Sequence, residues 1–342
     1  MKNNYRYKFS PQLKIYDKML NDWHPYVMFK QSQNVSNKVF STDKFGMRYT
    51  VNKNTNEKYS LFDIQNKNQN KKQIAIVGGS TAFGVGATND SKTISSFLTR
   101  AADYDVFNLG FRAFNHFQEL IMFQQVLHKF NNLKYVIFFS GFNDIFFSKF
   151  NQKFENNVPF FFESEFKRRM NYPKDSILKN LLYNILPNNY SKRVNWVTDD
   201  KFKIIKKILN IYPKTDQNKK ISDWKENYER NLNIWKILSE SLNFKVIFAL
   251  QPFVNWVNKE LTEEEKYIMD EVKENNSEKT VQILNSINKK DHTDAINFFK
   301  NICSKNKFEF IDMNNSLNTE DTNSIPTEDE FNALYKTRKY KT

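Results

Sequence analysis

A short apolar run that ends in two glycines and a serine constrains this chain more than any other feature. Ile74–Val77 is followed at once by Gly78-Gly79-Ser80-Thr81. The apolar run predicts a buried strand, and the small residues predict a tight turn at its end. Such a turn would expose the hydroxyl of Ser80 at the edge of a sheet, with main-chain N–H groups beside it.

Two later apolar segments end in residues that suit the same edge. The predicted strand Tyr104–Leu109 runs into Gly110, and the predicted strand Tyr135–Ser140 shortly precedes Asn143. The carboxyl ends of parallel strands meet at one edge of a sheet, which we call the rim, and the sites of open α/β sheets lie there. We therefore expect Ser80, Gly110 and Asn143 to lie together on the rim.

Helical patterns separate the apolar strands along most of the chain. The predicted helices are Ser91–Ala102, Asn115–Phe130, Ser222–Leu242, a helix that the capping box Thr262–Glu265 opens, 277–288 and 292–304. The other predicted strands are Gln73–Gly78, Lys245–Leu250 and Phe308–Ile311. Continuous apolar strands that alternate with helices are typical of a parallel sheet covered on both faces. The pattern predicts a doubly wound α/β domain with five parallel strands.

Two segments lie outside this alternation. Residues 1–72 are polar and rich in Asn and Lys, which predicts a loosely structured arm packed on a main domain that spans 73–342. Residues 145–220 form an insertion with many phenylalanines and the basic run Lys167–Arg169. Its helical patterns lie near 175–186 and 199–211. We expect a helical subdomain with its own core, and the alternative is a cap that shapes a substrate pocket.

The composition limits the partners of the chain. The 342 residues carry a net charge of +14, but the lysines are spread along the chain and mixed with asparagine. Because no Arg-rich tract or nucleic-acid module is found, we expect no nucleic-acid partner. No run approaches the ~20 apolar residues that span a bilayer. The basic N-terminus is not followed by the apolar segment of a signal peptide. We therefore expect a cytoplasmic protein without membrane insertion. The single Cys303 excludes an internal disulfide.

The residues on the rim suit acyl transfer, which needs a nucleophile, a base and hydrogen-bond donors aimed at an oxyanion. Ser80 is the candidate nucleophile. Its own N–H, the N–H of Gly110 and the carboxamide of Asn143 are the candidate donors. A glycine suits position 110 because a side chain would obstruct the approach of a substrate oxygen to the backbone.

Three segments resemble the first three sequence blocks of the SGNH (GDSL-like) hydrolase family: Gly78-Gly79-Ser80, Asn108-Leu109-Gly110 and Gly141-Phe142-Asn143-Asp144. The resemblance covers residues 73–144 and extends more weakly across 222–312. It implies a flavodoxin-like three-layer α/β/α fold, cleavage of esters or transfer of acyl groups, and no metal or organic cofactor. It also implies that Ser80 is the nucleophile and that Gly110 and Asn143 are the oxyanion residues.

The last block of that family, Asp-x-x-His, does not follow the fifth predicted strand. Asp329-Glu330-Phe331-Asn332 has the spacing but ends in an amide, which cannot take a proton from a serine. Three explanations are open: the copy is truncated or frameshifted, catalysis is impaired, or another residue is the base. Of the four histidines, His292 and His116 open helices whose starts should lie on the rim, and they are the candidate substitute bases.

Three functions fit these residues. The first is a serine ester hydrolase, an acyl-esterase or O-deacetylase, acting on a small-molecule or carbohydrate acyl ester. The second is a catalytically impaired relative that binds an acylated or sugar ligand, and the third is a binder of anionic surfaces through the basic insertion. A phosphate-binding loop is excluded because Gly84 is followed by Val85 rather than Lys-Ser/Thr. No His, Cys, Asp and Glu spacing predicts a metal site.

Overall fold

The N-terminal segment forms its own short helices and strands before the central sheet begins. The computed structural model describes residues 5–63, 71–101, 104–149, 160–163, 166, 193–195 and 224–315. The first elements are α1 (Tyr5–Phe9), α2 (Leu13–Asp17), β1 (Leu20–His24), β2 (Met28–Gln31), β3 (Thr50–Val51) and β4 (Lys58–Tyr59). Antiparallel pairing joins β1 to β2 and β3 to β4.

Five parallel strands form the central sheet. The remaining strands are β5 (Gln73–Gly78), β6 (Asp105–Gly110), β7 (Leu133–Ser140), β8 (Arg193–Asn195), β9 (Lys245–Leu250) and β10 (Glu309–Asp312). The order across the central sheet is β10-β9-β7-β5-β6, and every pair in it is parallel. The prediction of a five-stranded parallel sheet is confirmed, and β5 lies in its interior, where its carboxyl end is flanked by the ends of β6 and β7.

Helices connect the strands as the sequence predicts. They are α3 (Ser80–Phe83), α4 (Ile94–Ala101), α5 (His116–Val126), α6 (Phe142–Ser148), α7 (Trp224–Leu242), α8 (Glu263–Asn275), α9 (Glu278–Ser286) and α10 (Lys289–Asn306). Capping boxes at Asn115 and Thr262 fix the starts of α5 and α8. The predicted helix Ser91–Ala102 begins instead as a 3-10 turn over Asp90–Lys92, because Asn89 accepts a hydrogen bond from the N–H of Ser91.

The two faces of the central sheet are buried against different helices. Alternate side chains of β5 point to opposite faces. Ile74 and Ile76 pack with Ile94 of α4 on one face. Ala75 and Val77 belong to the larger core on the other face, with these residues of α5, α7 and α10: Leu120, Phe123, Trp235 and Phe299. This arrangement confirms the predicted three-layer α/β/α fold.

The described part of the N-terminal segment is integrated into the core rather than loosely structured. Val27, Phe29 and Tyr59 belong to the same cluster of buried residues as α5 and α7, and the side chain of Arg48 is fully buried. The sequence predicted a loose arm because the segment is polar, but polar side chains such as Asp43 and Arg48 are buried here together with the apolar ones.

The described residues of the predicted insertion are few. Phe160 is buried in the main core, and Arg193–Asn195 forms a strand that pairs antiparallel with β1, so this part of the insertion is not helical. The two predicted helices near 175–186 and 199–211, and the basic run Lys167–Arg169, lie outside the described residues. Among the helices that the structure describes, none is both long and apolar enough to cross a membrane.

Candidate active site

Ser80 lies at the carboxyl end of a central strand, as predicted. It is the first residue of α3 and follows β5 after Gly79 alone. Its side chain is partly exposed. Within the described ranges, no hydrogen bond engages the Ser80 hydroxyl, so the oxygen is available to a ligand from the rim.

Asn143 lies beside the residue that precedes Ser80. Its Nδ2 donates a hydrogen bond of 2.6 Å to the carbonyl oxygen of Phe114. A Cβ built on Gly79 would come within 2.8 Å of Asn143 Nδ2 and 3.4 Å of that carbonyl oxygen. The segments that follow β5, β6 and β7 therefore meet at Gly79, where a larger residue would displace the side chain of Asn143. One Nδ2 hydrogen of Asn143 is used, and a carboxamide has a second one to donate.

Gly110 ends β6, opposite Gly78 of β5, and its amide has a partner within the chain. Its N–H donates to Oδ1 of Asn108 at 2.9 Å, so the amide is already engaged. A Cβ built on Gly110 would lie 2.2 Å from the backbone N of Phe83. The close packing of α3 on the end of β6 is a physical reason for a glycine here, and the role of Gly110 as an oxyanion donor stays a prediction.

Ala113 is a residue of this region that the sequence reasoning missed. It precedes Phe114 and has a left-handed backbone with φ +67°. A left-handed alanine costs roughly 1–2 kcal/mol, and such outliers cluster at functional sites. Its N–H has no hydrogen-bond partner among the described residues. An alanine in a loop carries no sequence signal of this conformation, so only the backbone reveals it.

His116 forms a buried pair with Asp144. The Nδ1 of His116 lies 2.5 Å from Oδ1 of Asp144, and the backbone N–H of His116 donates to Oδ2 at 3.3 Å. The ring stacks on Tyr228 with 4.5 Å between the ring centroids. The Nε2 of His116 is enclosed and has no partner in the described part of the chain. The pair thus ties the start of α5 to α6, but the remaining nitrogen does not reach Ser80.

A buried carboxyl group lies in the same region. Ser140 donates a hydrogen bond of 2.6 Å to Oε1 of Glu119. Burial raises the pKa of Glu119 well above its usual value, although the hydrogen bond from Ser140 opposes the shift. Burial also raises the pKa of Tyr228, and the neighbouring carboxylates Glu119 and Asp144 add to that shift. Burial therefore disfavours the charged form of Glu119 in this region.

His292 forms a second pair, with Asp312 at the end of β10. Its Nε2 lies 3.1 Å from Oδ2 of Asp312, and its ring stacks on Trp256 at 5.1 Å and an interplanar angle of 13°. Burial raises the pKa of Asp312, but hydrogen bonds from His292 and Asn314 outweigh it, so the pKa is lowered. The Nδ1 of His292 has no hydrogen-bond partner among the described residues.

The sheet order separates His292 from Ser80. The strands β5 and β10 are three positions apart in the central sheet. Neighbouring strands lie roughly 4.8 Å apart, so their ends are separated by roughly 14 Å. The structure thus brings Asn143 to Gly79, next to Ser80 in the chain, and brings neither candidate base into hydrogen-bond contact with Ser80. Among the described residues, no group of three or more His, Cys, Asp or Glu side chains could hold a metal ion.

Comparison with known proteins finds only distant structural likeness. No family model and no curated protein matches the chain. A presumed acylhydrolase from Bacteroides fragilis superimposes with a TM-score of 0.39 and 11% identity, covering 80% of this chain and 88% of that one. An acetyl xylan esterase superimposes with a TM-score of 0.32 and 9% identity, covering 71% and 77%. Likenesses this weak say nothing specific about this chain, and the function proposed below depends on its own residues.

Proposed function

We propose that the protein is a serine ester hydrolase that acts on small-molecule or carbohydrate acyl esters. The observation that carries this proposal is the meeting of three loops at Gly79, where the carboxamide of Asn143 lies beside the residue that precedes Ser80. A hydroxyl and an amide donor that converge at the rim are the groups that acyl transfer requires. The sequence resemblance to SGNH hydrolases supports the same reaction.

The reaction would proceed through an acyl-enzyme. Ser80 Oγ attacks the carbonyl carbon of the ester as its proton passes to a base, and the carbonyl oxygen becomes an oxyanion. The free Nδ2 hydrogen of Asn143 and the N–H of Ser80 stabilise that oxyanion. The alcohol leaves with a proton from the base, and water then attacks the acyl-serine to release the acid. Loss of one such donor costs about 10²–10³ in rate.

A main-chain donor from the loop after β6 belongs to Ala113 in this proposal. The amide of Gly110 is engaged by Asn108, whereas the N–H of Ala113 is left without a partner in the described part of the chain. Ala113 is also next to Phe114, whose carbonyl oxygen holds Asn143. The strained conformation of Ala113 would then serve to turn its amide toward the substrate.

Two histidines, His292 and His116, are the candidates for the general base. Each imidazole is oriented by an aspartate, which is the arrangement of a general base and its partner. His292 has the accessible free nitrogen but lies far along the rim. His116 lies near Asn143 but its free nitrogen is enclosed. In either case the histidine would have to approach Ser80 or act through water.

Turnover of p-nitrophenyl acetate tests the proposal. We expect wild type to hydrolyse it with a burst of p-nitrophenol equal to the enzyme concentration, and Ser80→Ala to lose both burst and turnover. Ser91→Ala, a serine on the nearby 3-10 turn, is the matched control and should retain full activity. Equal rates for wild type and Ser80→Ala would contradict the hydrolase.

A binding protein without turnover is the second candidate. It is favoured by one observation, that neither histidine contacts Ser80 within the described residues. It predicts that an acylated sugar binds to wild type and to Ser80→Ala with equal affinity, while no acid is released. Calorimetric titration alongside the turnover assay separates the two functions.

A further inference from the structure

Two buried carboxamides face each other at the start of the N-terminal sheet. Asn21 of β1 lies directly opposite Gln31 of β2 in the antiparallel register. The two residues are 0% and 1% exposed. All four of their side-chain nitrogen and oxygen atoms are enclosed, and none has a hydrogen-bond partner in the part of the chain that the structure describes.

Such a pair is costly in a folded protein. A carboxamide that leaves water without a new hydrogen bond loses the free energy of its bonds to water. Most buried side-chain polar atoms are therefore bonded, and an exception calls for an explanation. Two exceptions at directly opposed positions indicate a place where a polar group from outside the described residues could bind.

The pair lies on the strand face that is turned toward the candidate site. Alternate residues of a strand share a face, so Asn21 and Gln31 share theirs with Trp23 and Phe29. The ring of Phe29 packs edge-on against Phe114, with 6.0 Å between centroids. The carbonyl oxygen of Phe114 holds Asn143 beside Gly79.

A second contact ties the start of β1 to the same loop. Arg112, two residues before Phe114, donates from Nη1 to the carbonyl oxygen of Tyr16 at 2.6 Å, shortly before β1 begins at Leu20. The loop that follows β6 thus contacts both β2, which carries Gln31, and α2, which precedes β1. The distance along β2 from Phe29 to Gln31 is about 7 Å.

We propose that Asn21 and Gln31 form a polar subsite that binds hydroxyl groups of the sugar whose acyl ester reacts at Ser80, an inference that rests on the proposed function. Each carboxamide is neutral and offers both donor hydrogens and an acceptor oxygen. Hydroxyl groups donate and accept in the same way, whereas a carboxylate or phosphate would find no cation in this pair. Both side chains are enclosed in the structure, so the sugar binds by displacing the groups that enclose them. The competing explanation is that buried water occupies the same place.

Apolar replacements of similar size distinguish a sugar from buried water as the occupant of the Asn21–Gln31 pair. We expect Asn21→Leu and Gln31→Met to keep or raise Tm, because each removes an unpartnered buried polar group. The ratio of kcat/KM for 6-O-acetylglucose to that for p-nitrophenyl acetate should fall about 10-fold in each variant, as expected for a lost hydrogen bond. The double variant should lower it further.

Asn231→Leu is the matched control. Asn231 is a buried asparagine on α7 whose Nδ2 also has no partner among the described residues. Its replacement should change Tm in the same direction and leave the ratio of kcat/KM values as in wild type. A fall in Tm for Asn21→Leu and Gln31→Met with an unchanged ratio would mean that the carboxamides hold structural water, and would overturn the subsite.

A binding measurement keeps the subsite separate from the hydrolase. Ser80→Ala is titrated with 6-O-acetylglucose by calorimetry, alone and combined with Gln31→Met, a change on the edge strand of its sheet. Binding to Ser80→Ala that weakens about 10-fold with Gln31→Met supports the subsite even if wild type shows no turnover. Equal affinity of the two proteins, or no binding to either, would overturn it.

Discussion

Two His–Asp pairs lie at opposite ends of the rim, and they differ in what they leave free. His116 uses Nδ1 for Asp144 and encloses its Nε2. His292 uses Nε2 for Asp312 and leaves Nδ1 without a partner among the described residues. The first pair joins the start of α5 to α6, the two elements that supply the surroundings of Ser80. The second joins the start of α10 to the end of β10.

The difference separates a structural role from a chemical one. A pair that fastens α5 to α6 can hold Asn143 in place, but its free nitrogen is enclosed and meets no proton donor among the described residues. The second pair leaves a ring nitrogen without a partner among the described residues, but lies roughly 14 Å along the sheet from the nucleophile strand. The same two residue types therefore point to different tests at the two ends.

The largest expected effect is on turnover. If His292 is the base, His292→Ala lowers kcat by about 10²–10⁴-fold, the usual contribution of general base catalysis. His116→Ala should then lower activity only as far as the folded fraction falls. The comparison is made with p-nitrophenyl acetate at saturating concentration, with the folded fraction measured by circular dichroism. Full activity in both variants, with Ser80→Ala inactive, would remove both histidines as bases.

The next effect is on stability. Asp144→Ala removes the acceptor for two hydrogen bonds from His116 and leaves buried donors unpaired, which costs about 2–4 kcal/mol. Urea unfolding measures the change. Asp294→Ala, an exposed aspartate on α10, is the control and should stay within about 0.5 kcal/mol of wild type. An Asp144→Ala protein as stable as the control would show that the pair does not fasten the two helices.

The pH dependence of stability tests the surroundings of the first pair, where Glu119 is buried near Asp144. The pKa of Glu119 is raised in the folded protein from its usual 4.5, so the unfolded chain releases its proton first as pH rises. Stability is then lost by roughly 1.4 kcal/mol per pH unit above that value, until the folded pKa is reached. Glu119→Gln should not show this loss, and urea unfolding from pH 4 to 8 measures the difference.

The smallest expected effect is the loss of stability in acid that Asp312 of the second pair causes. This loss occurs as pH falls, whereas the loss due to Glu119 occurs as pH rises. The pKa of Asp312 is lowered from its usual 3.8, so its contribution to stability is present above that value and is lost as pH falls below it. Asp312→Asn should flatten the acid limb of the stability curve between about pH 4 and pH 2. Parallel acid limbs in urea unfolding of wild type and variant would contradict the assignment.

Local patterns in the sequence predicted the framework of the site. The apolar run before Gly78 and the capping box at Thr262 are read from neighbouring residues, and the predicted strands and helices that fall on the described residues lie within a few residues of their expected places. Ser80 and Asn143 were placed correctly on the rim because parallel strands bring their carboxyl ends together. Their chemical roles stay proposals.

Contacts between distant segments could not be predicted in this way. Gly110 was expected to offer its amide, but the side chain of Asn108 folds back onto it. The pairing of His116 with Asp144 depends on how α5 and α6 approach each other, and no residue spacing encodes that approach.

By itself, the sequence determined the order of strands and helices and the residues that end each strand. These follow from hydrophobic periodicity and from turn and cap chemistry, which act over a few residues. Tertiary structure alone decided which amide is engaged, which imidazole nitrogen is free, and that Asn21 and Gln31 are buried without partners. Those outcomes depend on side-chain packing between segments far apart in the chain, where one contact excludes another.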